Sequence, residues 1–200
     1  MADSMDVVIA GEPMRLLADR ALYWPARNRL LLADLHLGKA DIFRRFGIAL
    51  PSGGTRLDLS RIATLAQSTS ADTAWVLGDF LHGGIESPQW RAGWETFRTE
   101  HPHLRIGVLA GNHDRALVRA KLDIDLLGDA LDDGPFSLRH APDARASAHV
   151  LCGHLHPTIR IEGFPGRWPA FSAFTGGRNP ETRPGDGLVA CMHGDLLRLS

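Results

Sequence analysis

Five short apolar runs in this chain each end in residues able to bind a metal or carry a proton, and that recurrence constrains its fold more than any other feature. Arg29-Leu-Leu-Leu-Ala runs into Asp34-Leu-His36, Ala74-Trp-Val-Leu into Gly78-Asp79, and Arg105-Ile-Gly-Val-Leu-Ala into Gly111-Asn112-His113-Asp114. Phe136-Ser-Leu-Arg ends at His140, and Ala148-His-Val-Leu-Cys leads to Gly153-His154-Leu-His156. Short apolar runs bounded by Gly, Asp or Asn read as buried strands. In α/β proteins the residues just past strand carboxyl ends line the binding crevice, so five such ends can converge on one site.

The surrounding pattern supplies a scaffold for them. Val7–Ala10, Met14–Leu17, Ala21–Trp24 and Arg29–Ala33 read as a meander, separated by Gly, Pro, Asp or Asn. The period then changes: a helix from Thr55 places Leu57, Ile62 and Leu65 near one face, and a strand follows at Thr73–Leu77. Ser87-Pro88 opens a second helix to Glu100, whose Trp90, Trp94 and Phe97 form a core stripe. Arg105–Leu109 is a strand and Asp114–Lys121 a short helix; strands at 136–139, 148–152, 157–161 and 169–173 and a hairpin around His193-Gly194-Asp195 complete the chain. Strands and helices alternate in the middle while strands dominate both ends, which predicts one α/β domain over residues 1–200, built on two sheets with helices outside. Its 44% hydrophobic content is ample for such a core.

The converging set is two aspartates (Asp34, Asp79), Asn112 and five histidines (His36, His113, His140, His154, His156), with no thiolate. Mixed imidazole and oxygen donors suit manganese, iron, zinc or nickel, whereas an oxygen-only cage would point to calcium or magnesium. In extended chain, residues i and i+2 face the same side, so Asp34 and His36 can reach one ion together. His154 and His156 lie just past a strand, where the chain can turn and send them to neighbouring ions. Eight such side chains exceed what one ion can use, which predicts two divalent ions with Asp79 bridging them. Two such ions, less two carboxylates and a bridging hydroxide, leave about one positive charge, so the site wants an anion; in-line phosphoester hydrolysis is its natural chemistry.

The other histidines fall outside this set: His101 and His103 flank Pro102, His149 begins a strand, His193 sits in a turn, and His82 reads as a loop residue after Asp79. With 22 Lys+Arg against 23 Asp+Glu, the formal charge of -1 provides no global field for nucleic acid. Attraction for phosphate must be local, and Arg44, Arg45 and Arg115, close in sequence to the ligand clusters, are the candidates for gripping the non-reacting part of a substrate. For Arg45 a solvated helix face stands as an equal alternative. Cys152 and Cys191 sit in apolar runs, as buried free thiols of a reducing compartment do. The amino terminus has no signal-peptide pattern and no window is long enough to span a membrane, which predicts a cytoplasmic protein.

The five clusters resemble the motifs of the calcineurin-like metallophosphoesterases: D-x-H, G-D, G-N-H-[DE], an isolated H and G-H-x-H. The stretches Asp34-Leu-His-Leu-Gly-Lys39, Phe43-Arg-Arg-Phe-Gly-Ile-Ala-Leu-Pro51, His154-Leu-His-Pro157 and Pro169-Ala-Phe-Ser-Ala-Phe-Thr-Gly-Gly177 are similar to the bacterial ligase-associated DNA-damage-response branch. Arg160 to Trp168 is shorter than that branch's usual stretch. The resemblance implies a four-layer, two-sheet β-sandwich flanked by helices. It implies that Asp34, His36, Asp79 and His156 bind a first metal, and Asp79, Asn112, His140 and His154 a second, manganese foremost. It makes His113 the catalytic histidine and has Asp114 orient it. It further implies a phosphodiesterase or endonuclease of DNA repair, acting on DNA or RNA by attack of a bridging hydroxide and associated with a DNA ligase, a helicase and an exonuclease. Two alternatives stand beside this reading: a hydrolase of small nucleotides or pyrophosphate-linked metabolites, and a scaffold that uses the fold for protein binding. Oligomeric state is left open.

Overall fold

The computed structural model describes residues 3–83, 88–157, 187, 189–192 and 195–198. Its largest sheet runs in chain order: β1 (Ser4–Ile9), β2 (Glu12–Leu17), β3 (Ala21–Trp24), β4 (Arg29–Leu32), β5 (Thr73–Leu77), β6 (Arg105–Leu109) and β7 (Asp125–Leu126). The first four strands pair antiparallel, as the meander predicts. Ala10 and Gly11, both at positive φ, close the first hairpin in the two-residue geometry that suits strand twist. From β4 to β7 the pairing is parallel. Parallel neighbours need long crossovers, and the helices α1 (Lys39–Arg45), α2 (Gly54–Thr69) and α3 (Pro88–Glu100) supply two of them. A 3-10 turn, Asp114–Ala116, and the short α4 (Leu117–Ala120) lead to β7.

A second, three-stranded sheet follows. β8 (Ala130–Asp133) and β9 (Phe136–Arg139) are antiparallel, while β10 (His149–Cys152) lies parallel to β9. β11 (Val189–Met192) and β12 (Asp195–Arg198) form an antiparallel pair.

Residues alternate across β4, so its leucines serve two cores. Leu30 and Leu32, with Val76, Ile106 and Val108, pack under Leu59, Ile62 and Leu65 of α2 and Trp90, Trp94 and Phe97 of α3. Leu31, Leu77 and Leu109 face the other way, onto Phe136 and Leu138 of β9. Covering both faces is why β4, β5 and β6 read as continuous apolar runs.

One helical face differs from expectation: Leu57 is 67% exposed and Leu59 takes the inward position. Leu59 stands three residues before Ile62 and six before Leu65, the i, i+3 row of one helix face, which Leu57 does not share. The helix expected over Asp114–Lys121 begins as a 3-10 turn and ends at Ala120, while α1, β7 and β8 are short elements without a periodic signal. The expected strands at 157–161 and 169–173, Ser87 and the turn residues His193 and Gly194 lie outside the described residues, apart from Pro157. Among the described residues, no helix is long and apolar enough to cross a membrane.

Candidate metal centre

Because β4, β5 and β6 are parallel, their carboxyl ends share one edge of the sheet. The loops beyond them run side by side: the amide of Asp34 donates to the Gly78 carbonyl at 3.1 Å, and that of His36 to the Asp79 carbonyl at 2.8 Å. The ends of β9 and β10 bring His140, His154 and His156 to the same place. All five ligand clusters therefore meet. Asp34, His36, Asp79 and His140 are buried there, where unpaired polar groups are costly.

Two groups of donors meet at Asp79. In the first, ligand atoms of Asp34, His36, Asp79 and His156 all lie within 4.8 Å of one another. In the second, Asn112 Oδ1 lies 2.9 Å from His140 Nε2 and 3.1 Å from His154 Nδ1. Asp79 Oδ2 sits between them, 3.7 Å from His36 Nε2 and 3.5 Å from His140 Nε2. The other Asp79 oxygen accepts the backbone N–H of His113 at 2.9 Å. The Asp34 carboxylate likewise accepts the backbone N–H of His154, at 3.1 and 3.2 Å.

The backbone is strained where these side chains converge. Ten described non-glycine residues have positive φ, and five of them are Asp34, His36, Asp79, His154 and His156. Such conformations cost of order 1–3 kcal/mol each and persist where the surroundings enforce them, typically at functional sites. Two motif glycines have a steric reason as well. A Cβ on Gly111 would overlap the backbone and carboxylate of Asp79, and one on Gly153 would lie 2.6 Å from the Ala33 Cβ and 2.9 Å from Asp34 Oδ2.

The donor chemistry fits a metal. Nδ1 of His140 lies 3.0 Å from the Leu77 carbonyl oxygen, which can only accept, so Nδ1 carries the proton. The lone pair of Nε2 then faces Asp79 Oδ2, an acceptor opposite an acceptor that a cation between them would satisfy. Among the described residues, the buried His36 Nε2 and His156 Nδ1 find no hydrogen-bond partner. Burial, then the charge of Lys39, drives the His36 pKa down to about 2, and the same two causes take His82 to about 4. Both are held neutral, the form that ligates metal. Burial pushes the Asp34 carboxyl upward, against the pull of His156, the His154 amide and His140.

Among solved structures, the nuclease MPE of Pseudomonas putida is 32% identical to this chain, with a TM-score of 0.83 over 98% of this chain and 100% of that one. The chain belongs to the calcineurin-like metallophosphoesterases, in their ligase-associated branch. No protein-family model and no curated protein matches it. AQ665 of Aquifex aeolicus, a protein of unknown function, aligns over 59% of this chain and 63% of its own at 19% identity and a TM-score of 0.41, too slight a likeness to carry anything further.

In this metallophosphoesterase the structure also brings in two residues that the sequence pattern did not single out as ligands. His82 is part of the cluster: its Nδ1 lies 3.3 Å from His36 Nδ1 and its ring stacks on His113 at 4.7 Å between centroids. Together with His36 and His113 it forms a further group able to hold an ion. Lys39, half-buried, is the other; Asp79 and Asp34 act on its ammonium, which burial lowers in pKa. The lone signal for both was nearness in sequence to Asp79 and His36. Asp114 is buried with its carboxylate on three backbone amides, those of Leu81 (2.7 Å), Gly111 (2.9 Å) and Phe80 (3.2 Å). It therefore ties the β5 and β6 loops together and reaches His113 through the backbone. Arg44 is committed to Asp41, the Pro51 carbonyl and Gln89. Arg45 is exposed at the end of α1, and Arg115 is exposed two residues beyond His113.

Proposed function

We propose that this metallophosphoesterase is a hydrolase of phosphodiesters, a nuclease acting on DNA or RNA with two divalent ions, manganese foremost. The observation that carries the reading is Asp79, a buried carboxylate with one oxygen 3.7 Å and 3.5 Å from imidazoles of two donor groups. The likeness to the Pseudomonas putida nuclease supports it. Asp34, His36, Asp79 and His156 would hold the first ion, and Asp79, Asn112, His140 and His154 the second. When bound, such ions polarise the phosphoryl group and make water nucleophilic near neutral pH.

The chain's own residues supply the rest. His113, its backbone fixed on Asp79, is the catalytic histidine and gives a proton to the leaving oxygen. Asp114 positions it by holding the loop on which it stands. Arg44, Arg45 and Arg115 are the candidates for non-reacting phosphates, and Arg115 is the best placed because Arg44 is engaged elsewhere. We read residues 1–200 as one domain, with the smaller sheets forming the second leaf of a four-layer sandwich. By family likeness it works in the cytoplasm in DNA repair, beside a DNA ligase, a helicase and an exonuclease.

The test is a substrate panel with Mn²⁺: single- and double-stranded DNA, RNA, cyclic nucleotides, and aryl phosphomonoesters and phosphodiesters. Cleavage of aryl phosphodiester and polynucleotide is expected. Turnover confined to small nucleotides would point instead to a metabolite hydrolase. No retained metal and no turnover would make the fold a scaffold.

A further inference from the structure

Beside the metal centre lies an open groove of about 700 Å³, lined by Gly83, Asn112, His113, Arg115, Ala116 and Arg119. Its inner end is the site itself. Its outer wall carries two arginines four residues apart, a spacing that puts both on one side of a helical turn.

The charge of this wall is uncompensated. Among the described residues, neither Arg115 nor Arg119 has an ion-pair or hydrogen-bond partner, whereas nine other arginines face a carboxylate. The acidic residues nearest in the chain are engaged elsewhere. Asp114 accepts backbone amides, Asp123 holds Arg98 at 2.9 Å, and Asp125 holds Arg105 at 2.8 Å. Two free guanidinium forks at the exit of a phosphoesterase site match the oxygens of further phosphates. A mononucleotide or an aryl diester has none to offer beyond the reacting one; a polynucleotide has one per residue.

We propose that this groove is the track of a nucleic-acid strand, with Arg115 and Arg119 holding phosphates that flank the scissile one. This rests on the phosphodiesterase reading above and adds what selects a polymer over a small diester. Arg119 becomes a specificity-determining residue.

Binding of a fluorescein-labelled dT12 oligonucleotide to the full chain in EDTA, followed by anisotropy over a KCl series, tests this without turnover. For single strands the slope of log K against log salt changes by about 0.7 for each phosphate that a cationic side chain ceases to neutralise. Arg119→Gln and Arg115→Gln are each expected to weaken binding several-fold and flatten the slope by about that amount, with Arg119→Lys recovering the slope but only part of the affinity. With Mn²⁺, the ratio of kcat/KM on dT12 to that on bis(p-nitrophenyl) phosphate should fall at least about fivefold in Arg119→Gln, chiefly through KM. Unchanged dT12 affinity and salt slope in both glutamine variants would overturn the track while leaving the phosphodiesterase reading intact. A wild-type protein that cleaves neither dT12 nor the aryl diester would overturn that underlying reading instead.

Discussion

The Asp114 carboxylate accepts three backbone amides, and these hold the β5 loop, with Asp79, against the β6 loop, with Asn112 and His113. In Asp114→Asn one acceptor oxygen becomes a donor, leaving an amide unsatisfied at about 1–3 kcal/mol. For a chain of this size each kcal/mol lowers Tm by about 2–4 °C, so a thermal melt should show a drop; an unshifted Tm would remove the clamp. His113 acts differently. In His113→Ala we expect metal content to hold while turnover on an aryl diester falls by about 10²–10⁴. Metal lost on equilibrium dialysis would make His113 a ligand, as its grouping with His36 and His82 allows.

At the scale of elements, the apolar stripe of α3 supports the site as well as the core. Phe80, the residue after Asp79, meets Trp94 edge-on at 5.3 Å, and Trp90 packs so near Gly38 that a Cβ there would lie 2.7 Å from its ring. The helix thus backs the loops that carry Asp79 and His36. On α2, burial pushes Asp58 up to about 7, against the pull of Arg61 and Arg20. A carboxyl with its folded pKa above its unfolded value favours the fold while protonated; that contribution is full below about pH 4 and is lost as pH rises through about 7. Wild type should therefore lose Tm between about pH 5 and pH 8 relative to Asp58→Asn, which cannot titrate. Parallel pH profiles for the two proteins would mean that the arginines keep Asp58 charged throughout.

In the whole molecule, five strained residues from three loops converge on the candidate site, an arrangement that a bound cation would stabilise. A ligand at about 100 times its Kd adds roughly 2.7 kcal/mol, so adding Mn²⁺ to chelator-treated protein should raise Tm by about 5–10 °C; no shift would mean that the folded chain does not hold the ion. The side chains that meet at the candidate site and their order, Asp34 to His156, were legible in the sequence because each follows an apolar strand, and a strand's end is a local property. So were β3, β6, β9 and the Trp90-Trp94-Phe97 stripe, where side-chain period and punctuation agree. What the sequence could not specify depends on distance between segments far apart in the chain. His82 joins the site because its ring meets His36 and His113 across two loops. Arg119 keeps its charge uncompensated among the described residues while Asp123 and Asp125 pair with Arg98 and Arg105, on another helix and strand. Residue type and period decided which elements form and which chemistry they carry; which donors, cations and apolar faces meet was decided by packing, since contact energies act through space and not along the chain.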